Sequence, residues 1–394
     1  MEASFPRKIE KEVYDHLRRP PASVITGMRR TGKTTLMRRI FDKIETKNKR
    51  WFDFENPLDI KNFEEVDYNH IVDNLRLDKD ERMYIFIDEI QNFPEISKII
   101  KYLIDHYRIK FVVTGSASYY LRNLFPESLS GRKQIFELYP LDFQEFLTFK
   151  GVEYQYLKSF SEKTEINSIV EYERFSKLFD EYLEFGGFPE VVKERDLNEK
   201  NNRLKDIFSS YYEREILGLS YFRKKREVRD LIILLAGRIG SKLDVTKISQ
   251  ELGVQRITIN NYLQFLEDTY FIRLVSPFSR SVDREISARR KLYFCDSGIA
   301  RIITMQNLGQ VLENSVFNLL KFYGKVNYYQ RRRSGLEIDF ILDGGVAFEV
   351  KETATRADLG RLERTSGNLR LKNYYIISKN FVKNQKKIIY PQFL

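Results

Sequence analysis

At 394 residues the chain is too long for one compact core, so two or three domains are expected. It is 42% hydrophobic and 31% charged, a globular composition, and its net charge of +11 suits an anionic partner such as nucleic acid or simply serves solubility. One cysteine and three histidines exclude an internal disulfide framework, argue against a zinc site and fit a cytoplasmic protein, with neither a signal-peptide core nor a membrane-length apolar run.

Residues 8–18 read as a short helix feeding a first strand around Val24 and Ile25. Directly after it, Gly27, Gly32, Lys33 and Thr34 complete the pattern G-x-x-x-x-G-K-[ST], and a helix-forming series follows from Thr35. In that context the backbone of Gly27, Met28, Arg29, Arg30, Thr31, Gly32 and Thr35 wraps phosphate oxygens of ATP at the positive end of the helix. Lys33 would reach the β- and γ-phosphates, and the Thr34 hydroxyl would sit on Mg²⁺. Further strands are expected at 50–55, 84–87, 110–115 and 134–138, alternating with helical segments as in a parallel three-layer α/β sheet.

The strand at 84–87 runs into Asp88 and Glu89. A carboxylate ending a buried strand can hold Mg²⁺, which suits Asp88, while Glu89 can accept a proton from the attacking water. Thr114 or Ser116, after the fourth strand, would orient that water or sense the γ-phosphate. Arg132, on a glycine-bearing loop, reads either as an arginine finger or as a structural ion pair; a finger would act in cis or from a neighbouring copy in a homo-oligomer.

Several of these stretches resemble one family. They are Gly-Met-Arg-Arg-Thr-Gly-Lys-Thr-Thr (27–35), Phe-Ile-Asp-Glu-Ile-Gln (86–91), Val-Thr-Gly-Ser-Ala-Ser (113–118), Leu-Ser-Gly-Arg (129–132) and Tyr-Pro-Leu-Asp-Phe-Gln-Glu-Phe (139–146). All resemble the prokaryotic AAA+ ATPases in which an ATPase domain precedes a C-terminal domain of unknown function. Glu-Phe-Gly-Gly-Phe-Pro (184–189) and Lys-Leu-Tyr-Phe-Cys-Asp-Ser-Gly (291–298) extend the resemblance over nearly the whole chain. It implies an ATP-dependent protein and leaves the cellular role open.

Residues 139–220 read as largely helical, broken by a rigid turn at Gly186, Gly187 and Pro189, and a basic cluster follows at 223–226. A capped amphipathic helix at 245–253, a turn at Val254 and Gln255, and a helix with apolar Ile257, Ile259, Leu263 and Leu266 form a helix-turn-helix pattern. A strand at 269–276 could start a wing. In a DNA-binding role, Gln255, Arg256, Thr258 and Asn261 would face the major groove. The same module can instead pack between domains.

A helix at 308–322, strands at 326–330, 337–342, 345–351 and 374–377, and a helix from Ala357 give an α-β-β-β-α-β order. Asp339 followed by Glu349-x-Lys351 matches the D…[DE]-x-K pattern of restriction-endonuclease-like (PD-(D/E)XK) nucleases. Glu349 and Lys351 share a face because strand side chains alternate. Asp339 on the neighbouring strand would meet Glu349, and with Glu313 these carboxylates would hold Mg²⁺. Lys351 would position or deprotonate a metal-bound water, and Arg331, Arg332 and Arg333 would grip the DNA backbone.

The expected fold class is α/β. It comprises a three-layer P-loop AAA+ core (1–145), a helical region (146–220), a winged helix-turn-helix (221–288) and a restriction-endonuclease-like α/β domain (289–394). The expected function is an ATP-hydrolysing, DNA-binding protein with a Mg²⁺-dependent nuclease domain. The alternative is a nucleotide-switched DNA-binding regulator whose nuclease fold is catalytically silent.

Overall fold

The computed structural model describes residues 5–115, 131–216, 225–279, 281, 285, 288–331, 336–383 and 386–394. Ser116, Arg332 and Arg333 lie outside the described residues. The chain divides into two compact units, residues 1–139 with 268–270, and residues 140–267 with 271–394.

In the first unit, helix α1 (Glu10–His16) leads into strand β1 (Ala22–Thr26), and helix α2 (Lys33–Lys43) follows the glycine loop. Then come β2 (Lys49–Asp53), β3 (Met83–Asp88), α3 (Ile96–His106), β4 (Ile109–Gly115) and β5 (Lys133–Glu137). The strands form one sheet in the order β2-β3-β4-β1-β5, and every pairing is parallel. A parallel sheet is covered on both faces, and the central strands β3, β4 and β1 are accordingly buried along nearly their whole length, whereas the edge strands β2 and β5 carry half-buried and exposed polar residues. Val24, Ile85 and Val113 point into one core with Ile99 and Leu103 of α3. Their neighbours Ile25, Phe86 and Val112 point into the other, against Leu36, Met37 and Ile40 of α2. The parallel register brings the strand ends that carry Thr26, Asp88 and Thr114 to one edge of the sheet.

The second unit opens with α4 (Phe143–Phe149), whose N-terminus is closed by a reciprocal capping box between Asp142 and Glu145. It continues through α5 (Ile169–Phe185), α6 (Leu197–Tyr211), α7 (Lys225–Ala236), α8 (Val245–Leu252) and α9 (Arg256–Asp268). The Asp244 side chain caps α8, and Gly253, at a left-handed φ of 64°, ends it. Strands β6 (Ile272–Val275) and β7 (Lys291–Phe294) pair antiparallel beside these helices. The domain boundary expected at 288 lies between the two strands of this pair.

Helices α10 (Ser297–Ile303) and α11 (Leu308–Leu320) lead to β8 (Val326–Gln330), β9 (Glu337–Leu342) and β10 (Val346–Lys351). Helix α12 (Arg356–Asn368), β11 (Asn373–Ser378) and the short β12 (Ile388–Ile389) follow. Their sheet runs β12-β11-β10-β9-β8, with β8, β9 and β10 antiparallel and β10, β11 and β12 parallel. Ile257, expected on the apolar side of α9, is instead 68% exposed, while Ile259, Leu263 and Leu266 are buried.

Candidate nucleotide site and C-terminal acidic cluster

The glycine loop turns out of β1 at Gly27, whose φ is 155° and where a Cβ would lie 2.1 Å from the Leu138 carbonyl oxygen. Only glycine fits there. Gly32 enters α2 at φ 92°, and Arg30 between them also has a positive φ of 62°. Met28 and Thr31 are buried, Arg29 is half-buried, and Thr34 and Thr35 are exposed. Thr31 Oγ1 donates to the Met28 carbonyl at 2.9 Å, bracing the loop from inside. Lys33 Nζ donates to the carbonyls of Gly27 at 3.1 Å and Met28 at 3.0 Å. The ammonium thus rests within the loop that would surround phosphate. Arg7 adds a brace that sequence reasoning missed, donating to the carbonyls of Thr31 at 2.8 Å and Tyr139 at 2.7 Å. Nothing local marks it, since the contact spans 24 residues on one side and 132 on the other.

Asp88 lies at the same sheet edge and is buried. Its carboxylate accepts from the hydroxyls of Thr114 and Thr34. Burial pushes its pKa above the ordinary carboxylate value, and those two hydroxyls oppose the shift. Glu89 has a left-handed backbone, φ 50° and ψ 49°, and its N–H donates to Thr114 Oγ1 and to Asp88 Oδ1, each at 3.2 Å. A left-handed glutamate is an uncommon, strained conformation of the kind that persists at functional sites. Gln91 Nε2 donates to the Glu89 carboxylate and sets its direction. Lys33, Thr34, Asp88, Glu89 and Thr114 therefore converge. They suit a phosphate chain with Mg²⁺, with Thr34 and Asp88 as the oxygen donors.

Arg132 does not join them. β5 runs parallel to β1, and the Ala22 N–H donates to the Arg132 carbonyl, so Arg132 sits at the start of its strand. A five-residue strand is roughly 17 Å long, which places Arg132 at the sheet edge opposite the glycine loop. There it pairs with Asp105 of α3 at 2.7 Å. The finger in cis is overturned by strand polarity.

Residues 19–147 match an AAA domain. Residues 176–310 match a domain of unknown function. An uncharacterized protein of Methanocaldococcus jannaschii is 29% identical over 365 residues, 89% of this chain and 80% of its own length. An uncharacterized Haemophilus influenzae protein is also 29% identical, over 85% of this chain and 84% of its own. Among solved structures, a Walker-type ATPase of Pyrococcus abyssi aligns with 76% of this chain and 96% of its own at 14% identity and a TM-score of 0.48.

Beyond the AAA domain, Gln255 just before α9 and Arg256 and Asn261 on it are exposed, and Thr258 is half-buried. Arg256, Asn260, Arg289 and Arg290 line a cavity of about 370 Å³ beside the start of α8. Arg289 pairs with Asp244 at 2.6 Å, and Arg290 with Glu267 at 3.4 Å. Arg331 is exposed at the end of β8. No helix among the described residues is long and apolar enough to cross a membrane.

The C-terminal acidic residues are gathered differently from expectation. Glu313 of α11 and Asp339 of β9 both face Lys291 of β7, whose Nζ lies 3.2 Å from Glu313 Oε1 and 3.8 Å from Asp339 Oδ1. A third carboxylate, Glu337, is 2.8 Å from the same ammonium. Tyr293 Oη donates to Glu313 Oε1 at 2.7 Å, and the Val350 N–H donates to Asp339 Oδ2 at 2.8 Å. Glu349 pairs with Lys351 at 2.8 Å. Burial, followed by the nearby Asp339 charge, raises the pKa of Glu349, and burial raises that of Glu313. Among the described residues, no three His, Cys, Asp or Glu side chains form a group able to hold a metal ion. The residues expected to hold Mg²⁺ therefore meet protein cations: Glu313 and Asp339 face Lys291, and Glu349 faces Lys351. Lys291 and Tyr293 were missed, although two polar groups spaced by two in an otherwise apolar, buried strand are a readable signal.

Proposed function

We propose that this protein is an ATP-hydrolysing switch of the AAA+ type that binds DNA through α8 and α9. In this reading its C-terminal sheet serves binding rather than cleavage. The observation that carries the ATPase reading is the convergence of Lys33, Thr34, Asp88, Glu89 and Thr114 at one sheet edge. Lys33 leaves the loop carbonyls for the β- and γ-phosphates. Thr34 and Asp88 hold Mg²⁺, which supplies charge neutralisation when bound. Glu89, aimed by Gln91, takes the proton of the attacking water, while Thr114 ties its backbone to Asp88. Arg132 is left with its ion pair or with a neighbouring copy's site.

The DNA reading rests on the exposed Gln255, Arg256 and Asn261 at the start of the second helix, with Arg289 alongside. Exposed Ile257 suits an apolar contact with a thymine methyl group. With β6 and β7 as a wing, the module has the winged helix-turn-helix order. The silent alternative is favoured over the metal nuclease by the pairing of Glu313 and Asp339 with Lys291.

Three variants test this. Lys33→Ala is expected to abolish ATP binding. Glu89→Gln is expected to keep ATP binding while hydrolysis falls by a factor of about 10² to 10⁴. Arg256→Ala is expected to weaken DNA binding and to lower its salt slope by about one. Unchanged turnover in Glu89→Gln, or DNA affinity insensitive to salt in the wild type, would sink the corresponding half.

A further inference from the structure

Lys291 is a buried lysine on a strand that is otherwise apolar. Its side chain is 4% exposed, and its Nζ is shared by Glu313, Glu337 and Asp339. Those three come from two separate elements, α11 and β9, and Lys291 comes from a third. The lysine is therefore the group that gathers them.

Each carboxylate also has a second donor. Tyr293 Oη donates to Glu313 Oε1, the oxygen that faces Lys291, the Val350 N–H donates to Asp339 Oδ2, and Gln330 Nε2 donates to Glu337 Oε2 at 3.3 Å. Gly240, at φ 73°, approaches Glu313 so closely that a Cβ would lie 2.9 Å from its Oε2. Glu349, the fourth acid, is taken by Lys351 on its own strand. A hard divalent cation needs several of these oxygens free and convergent at about 2.0 to 2.6 Å. Here an ammonium is already bound by them. Its Cα is fixed in place, because β7 pairs with β6 on one side and bridges to Lys242 on the other.

We infer that Lys291 is the resident cation of this acidic cluster and stands in place of a divalent metal. It fastens β7 of the helix-turn-helix module to β9 and α11 of the C-terminal domain. This deepens the silent reading proposed above, and rests on it. The cluster is a polar clamp within the second unit, and its net negative charge is held in check by the chain itself.

The test is Mn²⁺ binding to full-length, nucleotide-free protein, followed by the paramagnetic signal of the free ion. Wild type is expected to show no site that Asp339→Asn removes. Lys291→Met, close in length and uncharged, is expected to open a site with a Kd on the order of 10⁻⁴ to 10⁻³ M. The double variant Lys291→Met/Asp339→Asn is expected to lose it again. If Lys291→Met does not fold, Lys291→Gln replaces it, and the wild-type measurement decides on its own. A wild-type Mn²⁺ site abolished by Asp339→Asn would overturn the inference. Should that metal-bound wild type leave DNA intact, the silent reading survives. Mn²⁺-dependent cleavage lost in Lys351→Ala would overturn both.

Discussion

At the scale of single residues, the fully buried Lys110 of β4 has a measurable consequence that needs no ligand. Its ammonium is held by the carbonyls of Arg19, at 3.2 Å, and Pro21, and lies 3.1 Å from His16 Nδ1, with no carboxylate among these partners. Burial pulls its pKa down from 10.5 to about 7. In the unfolded chain the group keeps its ordinary value. Between about pH 7 and 10.5 the unfolded state therefore binds more protons than the folded one, and stability rises with pH across that window. His16 acts with the same sign lower down, since burial takes it from 6.5 to about 4, so its contribution rises between those values. Lys110→Met should flatten the upper rise and shrink the lower one, since part of the His16 shift comes from the Lys110 charge. Thermal midpoints from pH 5 to 9.5 check this, and parallel curves for wild type and variant would refute it.

At the scale of elements, the Gly-Gly turn after α5 is explained by one carboxylate. Asp296 is buried and accepts from the N–H groups of Gly187, at 2.7 Å, and Ile299, at 3.1 Å. Gly186 has φ 73°, and a Cβ there would lie 2.0 Å from Asp296 Oδ1. A Cβ on Gly187 would meet the Leu141 carbonyl oxygen at 2.1 Å, and one on Gly298 the Phe185 carbonyl oxygen at 2.3 Å. The motifs Gly-Gly-Phe-Pro and Asp-Ser-Gly are thus two halves of one clasp that draws α10 onto α5. Gly186→Ala should cost about 3 kcal/mol, combining left-handed backbone strain with a steric conflict. The Gly186→Ala/Asp296→Ala pair should be less destabilised than the sum of its singles, because the second change removes the obstructing group. Strict additivity in chemical denaturation would count against the clasp.

The same scale explains what the sequence could and could not disclose. The glycine loop and Asp88-Glu89 were legible because phosphate chemistry demands fixed residue types at the ends of apolar strands. Arg132 was misplaced for a physical reason: it precedes its strand, whereas the residues of the nucleotide edge follow theirs. Ile257 fitted helical periodicity, yet the second helix keeps its first turn out of the core. Lys291 was readable as a charge in a buried strand, but its partners were not, because they lie on elements that only the tertiary fold brings together.

For the whole molecule, the question is whether nucleotide and DNA affect one another. The glycine loop, within the residues that match an AAA domain, and helices α8 and α9 belong to different compact units. A switch of the proposed kind requires that ATP favour one DNA-binding state over another by a definite coupling free energy, typically 1 to 3 kcal/mol or roughly 5- to 150-fold in affinity. Linkage makes this reciprocal, so DNA must change ATP affinity by the same factor. Glu89→Gln is the form to use, since it should hold ATP without consuming it. DNA affinity is measured with and without ATP, and ATP affinity with and without a saturating duplex, all at one salt concentration because the phosphate term is salt-dependent. Equal factors in the two directions, both lost in Lys33→Ala, are the expected result. DNA affinity unmoved by ATP would leave two independent binding sites on one chain and remove the switch from the proposal.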